Sequence, residues 1–183
     1  MMRTYPLDPK GAAEGTLLVS GQIIVQDLTH TPRFGLKGRG TVAFLQSRGL
    51  KVPDVNETAD GLLRLGQEEV VVLDAPADLY ARWQVAATPK GYYSWREETW
   101  AMMHLTGPRL FDLLAKICPV DLSPGAFPVG KIAQTRVGYV EAITWRNERK
   151  GVGFDVLFDI AATAFFANAV AIASAEFQPE VPA

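Results

Sequence analysis

Three side chains in this sequence could carry nucleophilic or metal chemistry: the single cysteine, Cys118, and the two histidines, His30 and His104. A thiol and an imidazole that meet in space form a nucleophile–base pair. Against that role, Cys118 stands between Ile117 and Pro119 at an expected helix end, where a small buried residue packs well. His104 lies among Met102, Met103 and Leu105 in an expected strand and reads as a hydrogen-bonded structural histidine. The histidines lack HExxH spacing, and one cysteine is too few for a zinc cage. Gly38-Arg39-Gly40-Thr41-Val42-Ala43 satisfies the loose dinucleotide fingerprint, with Asp60 near the ribose-binding distance. The preceding Thr31-Pro32-Arg33-Phe34 is a poor central parallel strand, so a tight strand-to-helix turn explains the glycines better. Tyr92, Tyr93, Trp95 and Trp100, with Lys90 and Arg96, could stack on bases, but they fit a core cover or a protein interface better. Neither a Gly-x-Ser-x-Gly elbow nor a Walker lysine loop occurs.

The elements that must position these residues belong to an ordinary globular chain. At 183 residues and 20.0 kDa it can bury about 70% of its unfolded surface. Eighteen Lys and Arg against twenty Asp and Glu leave a net charge of −2, which gives no field for phosphates and speaks against nucleic acid. The first fifteen residues are expected to be loosely ordered and lack the apolar segment of a secretory signal. Residues 160–175 are uncharged but fall short of the ~20 residues that cross a bilayer. The expectation is a soluble, cytoplasmic protein without a membrane partner.

The pattern predicts a hairpin from Thr16–Val19 and residues 22–26 around Ser20-Gly21. A helix over 41–48 follows, with Val42, Leu45 and Phe44 facing inward. Runs at 62–65 and 70–73 form a second hairpin, and a helix begins near Pro76 with Leu79, Tyr80 and Trp83 on its apolar face. The remainder reads as a strand over 99–105, a helix over 108–117, a β-rich run over 132–145, a strand over 153–160 and a helix over 161–177. This is an α+β fold: one domain over 16–183 with two pseudo-repeated β-α-β-β-α halves, about 29–97 and 98–177. The halves are in register, Leu36-Lys37-Gly38 with Leu105-Thr106-Gly107 and Phe44-Leu45 with Leu113-Leu114.

The final helix is the most informative segment. Phe165, Phe166, Ala169, Val170, Ile172, Ala173 and Phe177 occupy one broad arc. The opposite side carries Thr163, Ala164, Ala167, Asn168, Ala171, Ser174 and Ala175 and has no charge. A helix that is apolar or small all round is normally covered on both sides. An interface is therefore expected at Phe165, Phe166, Asn168, Ala171 and Ser174, filled by another subunit or a second copy.

Arg33-Phe34-Gly35-Leu36-Lys37-Gly38, Cys118-Pro119-Val120-Asp121-Leu122, Phe127-Pro128-Val129-Gly130, Ala133-Gln134-Thr135-Arg136 and Ile143-Thr144-Trp145-Arg146 carry a resemblance. Over roughly 33–177 the sequence resembles the γ subunit family of heterotetrameric sarcosine oxidase, itself similar to the folate-binding domain of the glycine-cleavage T-protein. The resemblance implies an accessory subunit without its own active site. It also implies that FAD, FMN, NAD and tetrahydrofolate are held by larger catalytic subunits and that this chain binds none of them. The alternative is a stand-alone folate-binding or one-carbon-transfer protein with Arg136, Tyr139 and Glu141 as ligand residues. Those residues lie in Arg136-Val137-Gly138-Tyr139-Val140-Glu141, similar to the T-protein's Arg-Thr-Gly-Tyr-Thr-Gly-Glu. The glutamate comes one position early, which in a strand turns it to the other face, so a folate-binding role is not carried over to it. Asp27 and Asp54 lack the context of a catalytic aspartate, and no catalytic residue or metal ligand is expected.

Overall fold

The computed structural model describes residues 16–19, 22–74, 78–86, 92–94, 99–148 and 151–177. The expectations for residues 1–15, Ser20-Gly21, Pro76, Lys90, Trp95 and Arg96 lie outside these. In chain order the elements are β1 (Thr16–Val19), β2 (Ile24–Asp27), β3 (Arg33–Lys37), α1 (Thr41–Ser47), β4 (Glu57–Ala59), β5 (Leu62–Gly66), β6 (Glu69–Leu73), α2 (Leu79–Gln84) and β7 (Tyr92–Ser94). They continue with β8 (Trp100–Thr106), α3 (Leu110–Ile117), β9 (Ile132–Val137), β10 (Val140–Asn147), β11 (Gly153–Asp159) and α4 (Thr163–Ser174). Single 3₁₀ turns, Ile160–Ala162 and Ala175–Phe177, bracket α4. Among the described residues the fold is mixed, with two antiparallel sheets and four α-helices.

The chain forms two compact units. One holds residues up to 30, 99–129 and 133 onward; the other holds 31–98 and 130–132. The first is built on a six-stranded sheet ordered β1-β2-β8-β11-β10-β9. Its core joins alternate residues of the central strands, such as Met103, Leu105, Val156 and Phe158, to Leu113 of α3 and Phe166 of α4. The second unit has a five-stranded sheet ordered β4-β5-β6-β3-β7. There Phe34, Leu36 and Val70 pack with Phe44 and Trp83, whose rings meet edge to face at 5.0 Å. In both sheets the strand that leads into a helix, β3 or β8, pairs with the third strand after that helix, then the second, then the first. A further strand pairs with its free edge: β7 with β3, and β2 with β8.

Three local expectations change. The run over 132–145 is two strands, because Gly138 and Tyr139, with φ of 58° and 68°, make a two-residue turn of the I′ kind. Apolar residues continue through that turn, which hides it in the sequence. β4 has the sequence Glu-Thr-Ala, too short and polar to read as a strand, and is held by pairing with β5. In α1 the buried residues are Thr41, Phe44 and Leu45, with Val42 only half-buried, because the Thr41 hydroxyl turns in to donate to the Gly38 carbonyl at 2.7 Å.

Gly107 stands where two backbones nearly touch. Its φ is +129°, and a Cβ there would come within 2.2 Å of the Gln22 carbonyl oxygen. Gly107→Ala is expected to lose about 2–4 kcal/mol in urea unfolding. Gly151→Ala, at φ +96° with nothing within 4 Å, should lose only the conformational share, about 1–2 kcal/mol.

Candidate functional site

The final helix is anchored by its ends and by one narrow stripe. The Asp159 carboxylate accepts the Ala161 amide at 2.8 Å, and the Thr163 hydroxyl donates to the Ile160 carbonyl at 2.6 Å. At the other end the Lys116 ammonium donates to the Ala173 carbonyl at 2.8 Å and to Glu176 at 2.9 Å, placing a cation on the negative end of the helix. Between them Thr163, Phe166, Val170 and Ser174 are buried, and Phe166 stacks on Phe158 of β11 at 4.4 Å. These residues recur at three- and four-residue spacing, so they form one face turned to the sheet.

The opposite face is apolar and open. Phe165 is 56% exposed and Ile172 69%, with Ala164, Asn168 and Ala175 exposed on the same side. The β9–β10 turn adds a third large side chain. A Cβ on Gly138 would lie 3.1 Å from the Phe166 ring and 3.9 Å from the Ala169 methyl, so glycine is what lets this turn rest on the helix. Tyr139 follows it, left-handed at φ 68°, with its side chain 78% exposed. An aromatic residue in that conformation costs about 1 kcal/mol or more, and a ring so exposed returns little within the chain. Ala169 lies one helical turn from both Phe165 and Ile172, so Tyr139 stands beside the same open stripe.

The predicted interface set is therefore split. Phe165 and Asn168 are exposed. Phe166 and Ser174 are not: Phe166 is fully buried in the stack, and the Ser174 hydroxyl is folded back onto the Ala171 carbonyl at 3.1 Å. Ala171 is half-buried at the margin. Ile172 lies outside the predicted interface, although its position one turn beyond Asn168 and two beyond Phe165 is the available signal.

Arg136, Tyr139 and Glu141 do not converge on a ligand. Arg136 donates to Glu141 at 2.7 Å, with the two side chains 70% and 77% exposed, and this hydrogen bond holds the guanidinium above its ordinary pKa. Tyr139 stands apart at the turn. Glu141 lines a cavity together with Trp100, Ile143, Leu157 and Asp159.

The remaining chemistry-bearing residues have structural surroundings. Burial pushes the Cys118 thiol up from its ordinary pKa, and the neighbouring cavity of about 290 Å³ is lined by Phe111, Leu114, Asp121 and Ser123 among others, without a histidine. His104 is buried with Nδ1 2.7 Å from Asp155, which also accepts from Asn147 at 2.6 Å. The carboxylate fixes the ring proton on Nδ1. Around Gly38 and Gly40, β3 runs between antiparallel neighbours, and the Glu68 carboxylate accepts the Val42 amide at 3.1 Å. An acid of the chain itself thus occupies the helix N-terminus that a dinucleotide phosphate would need.

No protein-family model matches the chain, and no curated protein matches it by sequence. Among solved structures it is similar to a chain of the heterotetrameric sarcosine oxidase from Corynebacterium sp. U-96 in complex with pyrrole 2-carboxylate. The TM-score is 0.75 at 21% identity, over 92% of this chain and 91% of that one. The two share a fold.

Phe166→Ala should destabilise the protein by about 3–5 kcal/mol in chemical denaturation, as for a large aromatic cut from a packed core. Phe165→Ala and Ile172→Ala should each stay within about 0.5 kcal/mol of the parent. Because its pKa is raised, Cys118 should react with iodoacetamide near about pH 8 far more slowly than an open thiol. Unfolding in urea should restore the ordinary rate.

Proposed function

We propose that this chain is a non-catalytic, γ-type subunit of a heterotetrameric sarcosine oxidase-like complex. It docks against the larger subunits through the outer stripe of α4 and Tyr139. The observation that carries this reading is the open row of Phe165, Ile172 and Tyr139 on a fold shared with a chain of such an oxidase. Exposed aromatic and aliphatic anchors without charge suit the centre of an interface, and the Arg136–Glu141 pair at the foot of the same turn suits its polar rim. Conserving shape requires no reactive constellation in this chain. FAD, FMN, NAD and tetrahydrofolate are then the business of the partner subunits, and the amine oxidation belongs to them.

The matching strand orders support reading the two units as a structural repeat of the T-protein folate-binding type, with the N-terminal hairpin added to the edge of the six-stranded sheet. Ile160–Phe177, with mean hydropathy 1.5, is long and apolar enough to cross a membrane by length and composition alone. Its buried face and the Lys116 ammonium on the Ala173 carbonyl suit a soluble, cytoplasmic subunit better than a span.

Co-expression with tagged larger subunits tests the assignment. The parent chain should co-purify in a fixed stoichiometry, and a Phe165→Asp/Ile172→Asp variant should be lost from the complex while its own melting temperature holds. A parent chain that never co-purifies, or a double variant that assembles as well, overturns it. Light scattering of the chain alone then reports whether two copies cover the stripe when the partner is absent.

A further inference from the structure

The cavity beside Glu141 lies within the first unit and meets the proposed docking surface only at the Arg136–Glu141 pair. Its residues come from four neighbouring strands: Trp100 of β8, Leu157 and Asp159 of β11, Glu141 and Ile143 of β10, and Gln134 of β9. Trp100 sits directly across the ladder from Asp159, and Ile143 across from Leu157. Side chains alternate along a strand, and Ala101, Met103 and Val156 belong to the helix-covered core. Trp100, Ile143 and Leu157 therefore face away from α3 and α4. The cavity measures about 350 Å³, at the small end of ligand sites, with Ile143 and Leu157 buried in its floor.

We infer that this cavity binds an organic cation, a primary ammonium or guanidinium on a short apolar stem. Two carboxylates line it, and among the described residues no lysine, arginine or histidine does. Glu141 spends one oxygen on Arg136, whose charge offsets its own. Asp159 spends Oδ1 on the Ala161 amide and keeps Oδ2 for a ligand. The indole opposite Asp159 supplies the aromatic surface that attracts a cation, and the aliphatic floor takes the stem. An anion meets uncompensated carboxylate charge, and a neutral alcohol leaves that charge unanswered.

Titration of the ¹⁵N-labelled full chain tests this site, using butylammonium chloride and N-acetyl-arginine amide as probes and butanol and sodium butyrate as controls. Saturable shifts are expected for either cation, centred on residues 100, 134–135, 141–143 and 157–159, and not for the controls. Asp159→Asn keeps an acceptor for the Ala161 amide, so the 3₁₀ turn that leads into α4 stays capped, yet it should weaken cation binding by about tenfold or more. Glu141→Gln, on an exposed strand end, provides a second variant and should weaken it less. Binding of the arginine amide alone marks a side chain of another polypeptide as the ligand, and binding of butylammonium alone marks a free amine. Butanol binding equal to butylammonium, or no saturation by either cation, overturns the proposal.

Discussion

The stack of Phe166 on Phe158 decides which way the last helix faces. Two adjacent phenylalanines compete for that place, and on a helix they point about 100° apart, so only one can meet the sheet. Seating Phe166 also brings Val170 and Ser174 inward and turns Phe165 and Ile172 out. Full burial of Phe166 and Val170 contributes about 1.5–3 kcal/mol each. The fixed ends, Asp159 on one amide and Lys116 on one carbonyl, then prevent the helix from rolling to hide what it exposes. The open stripe is a consequence of good packing beneath it.

Much of this architecture could be read before any coordinates. The leading strands, the helices that follow Gly40 and Gly107, and the terminal helix announce themselves through apolar period and turn residues. The exposed face of α4 is only half legible. Both sides of α4 are apolar or small, so periodicity carries little information about orientation. Thr163 and Ser174 looked like a wetter side, yet each hydroxyl is satisfied one turn back along its own backbone, which makes burial cheap. The Arg136–Glu141 segment misled for a different reason. As a continuous strand it sends alternate side chains to one face, but the left-handed pair at Gly138 and Tyr139 folds it into a hairpin and sends the tyrosine out on its own.

The residues that looked reactive are held by ordinary structural needs. Glu68 answers the Val42 amide at the start of α1, Asp155, itself held by Asn147, holds His104, and burial desolvates Cys118. The Asp155 contact accounts for Nδ1 of His104, while its Nε2 is buried without a hydrogen-bond partner among the described residues.

The chain order of the six-stranded sheet bears on synthesis. β2 leaves the ribosome early, but the strand it pairs with, β8, begins at Trp100. At roughly 5–20 residues per second the early hairpin waits several seconds for its neighbour, while the whole five-stranded sheet is made in between. During that interval its unpaired edge is open to other nascent chains, so crowded polysomes or slowed elongation would tax this protein more than one whose paired strands are all near neighbours in sequence.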